Sequence, residues 1–423
     1  MTKKSISHHL SEERLLLVGS YPPPFGGISS FIIELEKGLA TNVSQFYVLH
    51  FADTSCVDYK QNITVHKLQN RPNRLLINVL SLGVGKLFEV FILLVINVFK
   101  DIRLYSSAIL QALYISMIAK KENSTSITIF STAAGAVIPY LSRLIPNIPI
   151  YYCVFADPYK NPKFYRKHKM WYRDAMLGSR QVFSSSYYCA SVTKFFDISI
   201  NPKVIYVGID IDRFHPKIPE FESRQKLNLP IDKQIVLSVS RMELEMGVLD
   251  TLKIAEQVLI NSTDIIFVIA GAYGSVTPLV EAAAQASGGR IICRVNLPGD
   301  DLPLYYAAST IVIAPTVGVH ACMGVSVKEA MSSGRPVIVS NSGGLPEAVV
   351  HQSNGIIVPL LKNGDLDIFQ FSNSILTLIY DSQKLTSMGK QSRLRAEAIF
   401  SSTASITAFS NLLTSTVSVT KEL

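Results

Sequence analysis

Ten short runs rich in β-branched and aromatic residues, each bounded by Gly, Pro or Asn and followed by a stretch able to form a helix, set the pattern of this chain. Five of them (14–19, 45–50, 127–130, 149–155 and 203–208) precede a break at 215–233, HPKIPEFESRQKLNLPIDK, which is rich in proline and charge and has no long apolar period. Five more follow it, at 234–240, 264–271, 290–295, 311–315 and 336–340. Strand-then-helix alternation of this kind reads as parallel sheet with crossover helices. At 423 residues the chain exceeds what a single core sustains, and its 48% hydrophobic content suffices for two. The expectation is therefore an α/β protein of two parallel-sheet domains, 1–215 and 216–403. The apolar, Ser/Thr-rich tail 404–423 is expected to form a closing helix.

Several function classes fall away on composition. The five cysteines are odd in number, scattered and never spaced as CxxC, so neither a disulfide framework nor a thiolate zinc site is indicated. No repeat and no low-complexity tract is visible. The opening MTKKSISHHLSEER lacks the apolar core of a secretory signal, which places the chain in the cytosol. The most apolar stretch, LFEVFILLVINVF at 87–99, is shorter than the roughly 20 residues that span a bilayer and fits a buried or membrane-touching helix. Net charge is +8; residues 1–220 carry 25 Lys and Arg against 15 Asp and Glu, and the remainder 15 against 17. The basic excess thus belongs to the first half, where it suits an anionic membrane surface, a phosphorylated substrate or nucleic acid.

Ligands of open α/β sheets bind where strands end, so the loops after strands carry the functional signal. After the first strand, SYPPPFGG leads through Gly26 and Gly27 into a helix; missing Cβ atoms and free helix-start amides suit a phosphate, or simply a tight turn. The spacing is neither GxGxxG nor a loop ending in GK[ST], so no dinucleotide or ATPase site is indicated. In the second half, APTVGVHACMGVSVKEAMSSGRPVI at 314–338 is followed by SGGLPE at 342–347, a second glycine turn.

The 314–338 segment resembles the donor-site signature of glycosyltransferase family 4, retaining enzymes of the GT-B fold. Other motifs are similar to the family's in the right order: PPPFGG to its first glycine loop, KVIYVGIDIDRFHP to its domain-joining segment, VSRMELEMG to its second-domain opening and DLPLYYAAS to the helix before the donor strand. The resemblance covers nearly all of the chain. It implies two Rossmann-like domains facing a central cleft and transfer of a sugar from a nucleotide-diphosphate donor, with no cofactor. The amides of Gly324, Val325 and Ser326 would face the diphosphate, Glu329 would accept hydrogen bonds from vicinal ribose hydroxyls, and Arg241 would neutralise the departing diphosphate. No aspartate-x-aspartate pair that would serve a metal stands at a strand end, so no metal is expected.

The sequence departs from the family pattern at three positions. Met246 stands where a lysine is common, removing one of two diphosphate cations. Ala321 stands where a glutamate contacts the donor sugar, leaving His320 as a substitute contact. Phe155 stands where a histidine is frequent, leaving Asp157 as the nearest polar candidate, which equally suits a helix cap or turn. The family's same-face mechanism, in which the leaving phosphate takes the acceptor proton, asks little of protein acids and bases.

The acceptor signal is PYKNPKFYRKHKMWYRDAM at 158–176, in which seven basic residues, counting His168, interleave with Phe, Tyr and Trp171. A lipid-linked or polysaccharide-precursor acceptor, held by peripheral contact with anionic membrane on the inner face of the plasma membrane, would use both its charge and the apolar stretch 87–99. A solvated helix face is the plain alternative. Nucleic acid is disfavoured because no nucleic-acid motif accompanies the segment. Met246 and Ala321 also admit a catalytically degenerate nucleotide-binding subunit of a polysaccharide-assembly complex.

Overall fold

The computed structural model describes residues 10–20, 27–39, 42–50, 63–67, 100–319 and 322–414. Among these, strands β1 (Arg14–Gly19), β2 (Gln45–His50), β3 (Ile63–Lys67), β4 (Ser126–Phe130), β5 (Ile150–Val154), β6 (Gln181–Ser184) and β7 (Lys203–Val204) form one sheet in the order β3-β2-β1-β4-β5-β6-β7. A second sheet, ordered β10-β9-β8-β11-β12-β13, is built from β8 (Gln234–Val239), β9 (Ile265–Gly271), β10 (Ile291–Val295), β11 (Ile311–Ala314), β12 (Val337–Ser340) and β13 (Gly355–Val358). Every pairing in both sheets is parallel. A parallel sheet is covered by helices on both faces, which is why β4 and β5 are buried along their whole length and β9 along all but its last residue. The runs expected from sequence all contain strands. The short outer strands β3 and β13 and the inner strand β6 were not expected, because runs of four or five residues carry little apolar signal.

The chain divides into two compact units, Met1–Val207 with Ser405–Leu423, and Gly208–Ala404. The first join falls after Val207 rather than at the expected 215, and the second after Ala404, within a residue of the expected 403. The first crossing precedes Pro216 because Ile209 is already tied into the second unit: its N–H donates to the Phe400 carbonyl at 2.7 Å and its carbonyl accepts from Ser402 at 2.9 Å. Phe214 follows it there, packing edge-on against Tyr306. The C-terminal helix, Ser402–Thr414, is not a separate cap but part of the first unit's core. Its Phe409 is fully buried against Phe183 and Phe130, with ring centroids 5.8 and 6.4 Å away, and its Leu413 carbonyl accepts from the Tyr151 hydroxyl. Residues 415–423 of the expected closing segment, and the apolar stretch 87–99, lie outside the described residues.

Much of the second unit's loop structure hangs on two arginines, Arg224 buried and Arg393 partly buried. Arg224 bonds the carbonyls of Ala308, Pro230, Ile231 and Lys233 and pairs with Glu220 at 2.7 Å. Arg393 bonds the carbonyls of Ile211, Phe214 and Ser332. Burial lowers the pKa of Arg224, yet a guanidinium surrounded by carbonyl acceptors retains its charge. Removing it leaves four carbonyls short of a donor. Arg224→Ala is expected to destabilise the folded chain by about 3–5 kcal/mol, read as a lower urea midpoint by circular dichroism.

Candidate functional site

The order of each sheet reverses once, between β1 and β4 and between β8 and β11. At such a point the connections on either side leave in opposite directions, so two strand ends open onto a crevice that no crossover covers. In the second unit the loops at this point are 240–247, after β8, and 315–324, after β11. They carry Arg241 and the start of the helix Val325–Ser332.

These two loops are locked together. Gly247 adopts φ +75°, and a Cβ there would lie 2.9 Å from the Pro315 carbonyl oxygen and from Thr316 Cα. The Thr316 hydroxyl donates to the Met246 carbonyl at 3.0 Å. The second loop is fastened in turn to the end of β12: the Ser340 hydroxyl donates to the Thr316 carbonyl, and Ser342 Oγ accepts from Gly318 N–H at 2.8 Å. The turn Ser342–Gly344 is therefore a clamp on the crevice loop. Gly324 then turns the chain into the helix with φ +59° and ψ 103°, a conformation that favours glycine, and Leu345 lies 3.1 Å from where its Cβ would be. No side chain caps this helix among the described residues, so its first amides remain available at a positive dipole end.

Arg241 is exposed, and its guanidinium makes no hydrogen bond or ion pair among the described residues. Its charge is felt by Glu243, whose carboxylate is held below its ordinary pKa chiefly by the N–H and hydroxyl of Ser275. Glu329 is half-buried, and the fully buried Tyr306 donates its hydroxyl to Glu329 Oε2 at 2.8 Å. Burial, reinforced by the Glu329 charge, pushes the Tyr306 phenol well up, so it stays a protonated donor that aims the carboxylate. Sequence reasoning noted the DLPLYYAAS motif but missed this partnership, because the motif does not reveal which tyrosine faces the next helix.

The structure thus gathers Arg241, Gly324, Val325, Ser326 and Glu329 on the carboxyl edge of the second sheet. Gly27 opens the helix Gly27–Leu39 after β1, and Asp157 opens a short helix, Asp157–Lys160, after β5, both on the carboxyl edge of the first sheet. Asp157 is half-buried near Tyr152, Tyr165 and Tyr172, whose phenols are raised mainly by burial and secondarily by neighbouring charges that include Asp157. Gly26, His320 and Ala321 lie outside the described residues. Phe155 is buried, and Met246 packs partly buried against the second core. In the basic segment the aromatic residues do not join the charges: Tyr165, Trp171 and Tyr172 are core, while Lys160, Lys163, Arg166 and Lys169 are exposed. No described helix is long and apolar enough to cross a membrane.

Residues 219–395 match the family model of glycosyl transferases group 1. Sulfoquinovosyl transferase SQD2 of Arabidopsis thaliana is 27% identical over 193 residues, 45% of this chain and 35% of that protein. The chain thus spans about a third of that relative's length. Among solved structures, sucrose-phosphate synthase from Thermosynechococcus elongatus aligns with a TM-score of 0.74 at 18% identity, covering 96% of this chain and 100% of that one. Anabaena HepE, solved with UDP and glucose, aligns at 0.70 and 19%, with coverage of 96% and 100%. The fold is GT-B, two Rossmann-like parallel-sheet units.

Lys328, one residue before Glu329, was not singled out from sequence and is fully buried, its Nζ 6.0 Å from the Phe400 ring centroid. Burial lowers its pKa from 10.5 to about 7, against an opposing pull from Glu329. Between those values the unfolded chain holds a proton that the folded chain sheds, so stability rises with pH through this window. Below about 7 the cost of burying the charge is carried in full. Lys328→Met is expected to stabilise the protein on the order of 1–4 kcal/mol at pH 6, a gain that shrinks to nothing as pH approaches 10.5. Urea melts across this range measure it.

Proposed function

We propose, on the match of residues 219–395 to the family model of glycosyl transferases group 1, that the chain transfers a sugar, with retention, from a nucleotide-diphosphate donor bound on the carboxyl edge of its second sheet. The observation that carries this reading is the switch-point crevice itself, where an exposed Arg241 and a helix start that no described side chain caps are held on interlocked loops. In this reading the amides of Val325 and Ser326 and the Arg241 guanidinium take the diphosphate, and Glu329, aimed by Tyr306, takes the ribose hydroxyls. Charge developing on the leaving diphosphate is met by Arg241 and the helix dipole, so the scheme needs no metal and no cofactor. The leaving phosphate accepts the proton of the incoming acceptor on the same face, which leaves the anomeric configuration unchanged. In the same reading Gly26 and Gly27 are phosphate contacts, His320 is a contact to the donor sugar, and Asp157 takes the polar position where the family pattern has a histidine.

The acceptor in this proposal is a lipid-linked or polysaccharide-precursor sugar met at the inner face of the plasma membrane. Exposed Lys160, Lys163, Arg166 and Lys169 support it, with Met170 standing 62% exposed among them. Each cation near an anionic surface contributes about 1 kcal/mol. Vesicles rich in anionic lipid are expected to carry the protein upward on flotation, and replacing these four residues by Ser is expected to abolish that; flotation of the variant like the parent counts against membrane docking here.

A second reading, a nucleotide-binding subunit without turnover, is favoured by Met246, whose side chain packs toward the core where the family pattern has a cation. A thermal-shift and hydrolysis screen with UDP-, GDP- and ADP-sugars separates the two. Transfer activity requires a shift with one donor and slow sugar release; a shift without turnover, even with lipid extract added, marks the binding subunit. Arg241→Ala is expected to weaken donor binding about 10- to 100-fold, the loss of a charge-assisted bond. A product of inverted anomeric configuration would rule out the same-face mechanism.

A further inference from the structure

The loop 333–335, between the helix Val325–Ser332 and β12, lies on the amino edge of the second sheet, at the opposite end of the strands from Arg241 and Gly324. A cleft of about 600 Å³ opens there, walled by this loop, by Gln234 and Thr310 where β8 and β11 begin, and by the helix Ser382–Arg395. All of its walls belong to the second unit. Several hydrogen-bond donors on these walls are left over from other duties. Arg393 commits Nη1 to the carbonyls of Ile211, Phe214 and Ser332 and Nε to Glu397, and its Nη2 makes no hydrogen bond among the described residues. Arg335 gives Nη1 to Glu220 at 3.2 Å and Nη2 to the Ala307 carbonyl, and its buried Nε has no partner. The hydroxyl of Ser333, a residue only 1% exposed, has none either. Lys390 stands exposed on the helix and makes no ion pair among the described residues. The carboxylate in the walls, Glu220, has both oxygens engaged, one by Arg224 at 2.7 Å and the other by Arg335.

An excess of hydrogen-bond donors decides what such a cleft accepts. Guanidinium and ammonium groups can only donate, and here Arg335, Lys390 and Arg393 face a carboxylate that is already engaged, so the fitting ligand is an anion with several acceptor oxygens. Phosphate meets this demand, since each of its oxygens takes charge-assisted bonds and a guanidinium fork matches its geometry. The cleft is much roomier than a bare phosphate requires: about 600 Å³ lies within the roughly 300–1,000 Å³ of small-molecule pockets. Pro216, Pro336, Leu385 and Leu394 add apolar wall against which a carbon skeleton packs. We propose that this cleft binds a small, soluble phosphate monoester, its phosphate taken by Arg393, Lys390 and the Ser333 hydroxyl and its carbon part by the proline and leucine walls. The length of β11 and β12, four residues each or about 13 Å, separates it from the sugar-donor crevice. The inference therefore does not rest on the donor reading above.

The test is calorimetric titration of the full chain with glycerol 3-phosphate, and with glycerol as its uncharged counterpart, in the parent, Lys390→Glu, Ser333→Ala and Arg241→Ala. K390E changes an exposed side chain and S333A removes a hydroxyl that has no partner, so both are expected to melt like the parent by circular dichroism. Glycerol 3-phosphate is expected to bind the parent and R241A alike, and glycerol to bind neither. K390E is expected to raise the Kd by about 10- to 100-fold and S333A by about 3- to 10-fold. Hydrogen exchange with the same probe is expected to show new amide protection at 333–335 and 382–394. Equal binding by K390E overturns the inference. Binding lost in R241A, or protection confined to 240–247 and 322–326, assigns the anion to the sugar-donor crevice and overturns it as well. Displacement of glycerol 3-phosphate by vesicles of phosphatidic acid overturns the soluble source in favour of a lipid headgroup. A parent that does not bind glycerol 3-phosphate overturns the inference outright and leaves the donor reading untouched.

Discussion

A strand that pairs in parallel with its neighbour cannot return by a tight turn; the chain must climb over a face of the sheet and re-enter at the same end. In both units this one demand produces the crossover helices, the two-sided burial of the central strands and the gathering of all strand-to-helix loops on a single edge. It also requires that the crossovers change face once, where the strand order turns back on itself. Arg241 and the helix that starts after Gly324 flank that reversal in the second sheet, which explains why residues so far apart in sequence open onto one crevice.

The edge would be of little use if its loops moved independently. Hydroxyls and glycines prevent this: Thr316, Ser340 and Ser342 tie backbone to backbone, and Gly247 and Gly274 allow approaches that a Cβ would block. Orientation is thereby fixed before any ligand arrives, leaving the binding energy for the charged groups mounted on the frame. On the rest of the unit, Arg224 and Arg393 perform the same service by collecting carbonyls that no helix or strand satisfies.

What sequence reveals and what it hides follow from the range of each interaction. The central strands are legible because a strand covered on both faces is apolar at consecutive positions, as in SITIF and IYYCV. Edge strands such as GIIV at β13 are too short to separate from turns. Residues expected at the site on motif spacing, from Arg241 to Glu329, fall on the second sheet's carboxyl edge because spacing along the chain maps directly onto strand-end loops. The Tyr306–Glu329 bond, the buried Lys328 and the cleft beside Ser333 were hidden, since each depends on what a neighbouring element places opposite. The segment around Trp171 shows the converse. Charges and rings that alternate in sequence separate to opposite faces of helices, so composition alone mistook core residues for surface ones.

The C-terminal helix bears on how such a chain is made. Most of the first unit precedes the second along the chain, yet the ring pocket formed by Phe31, Phe130 and Phe183 is completed by Phe409, which follows the whole of the second unit. Until then the nascent first unit exposes an aromatic slot on an otherwise assembled sheet, while the whole second unit is synthesised and can close on its own contacts. The first unit's aromatic core is therefore completed only after the second unit has been synthesised, the reverse of their order along the chain.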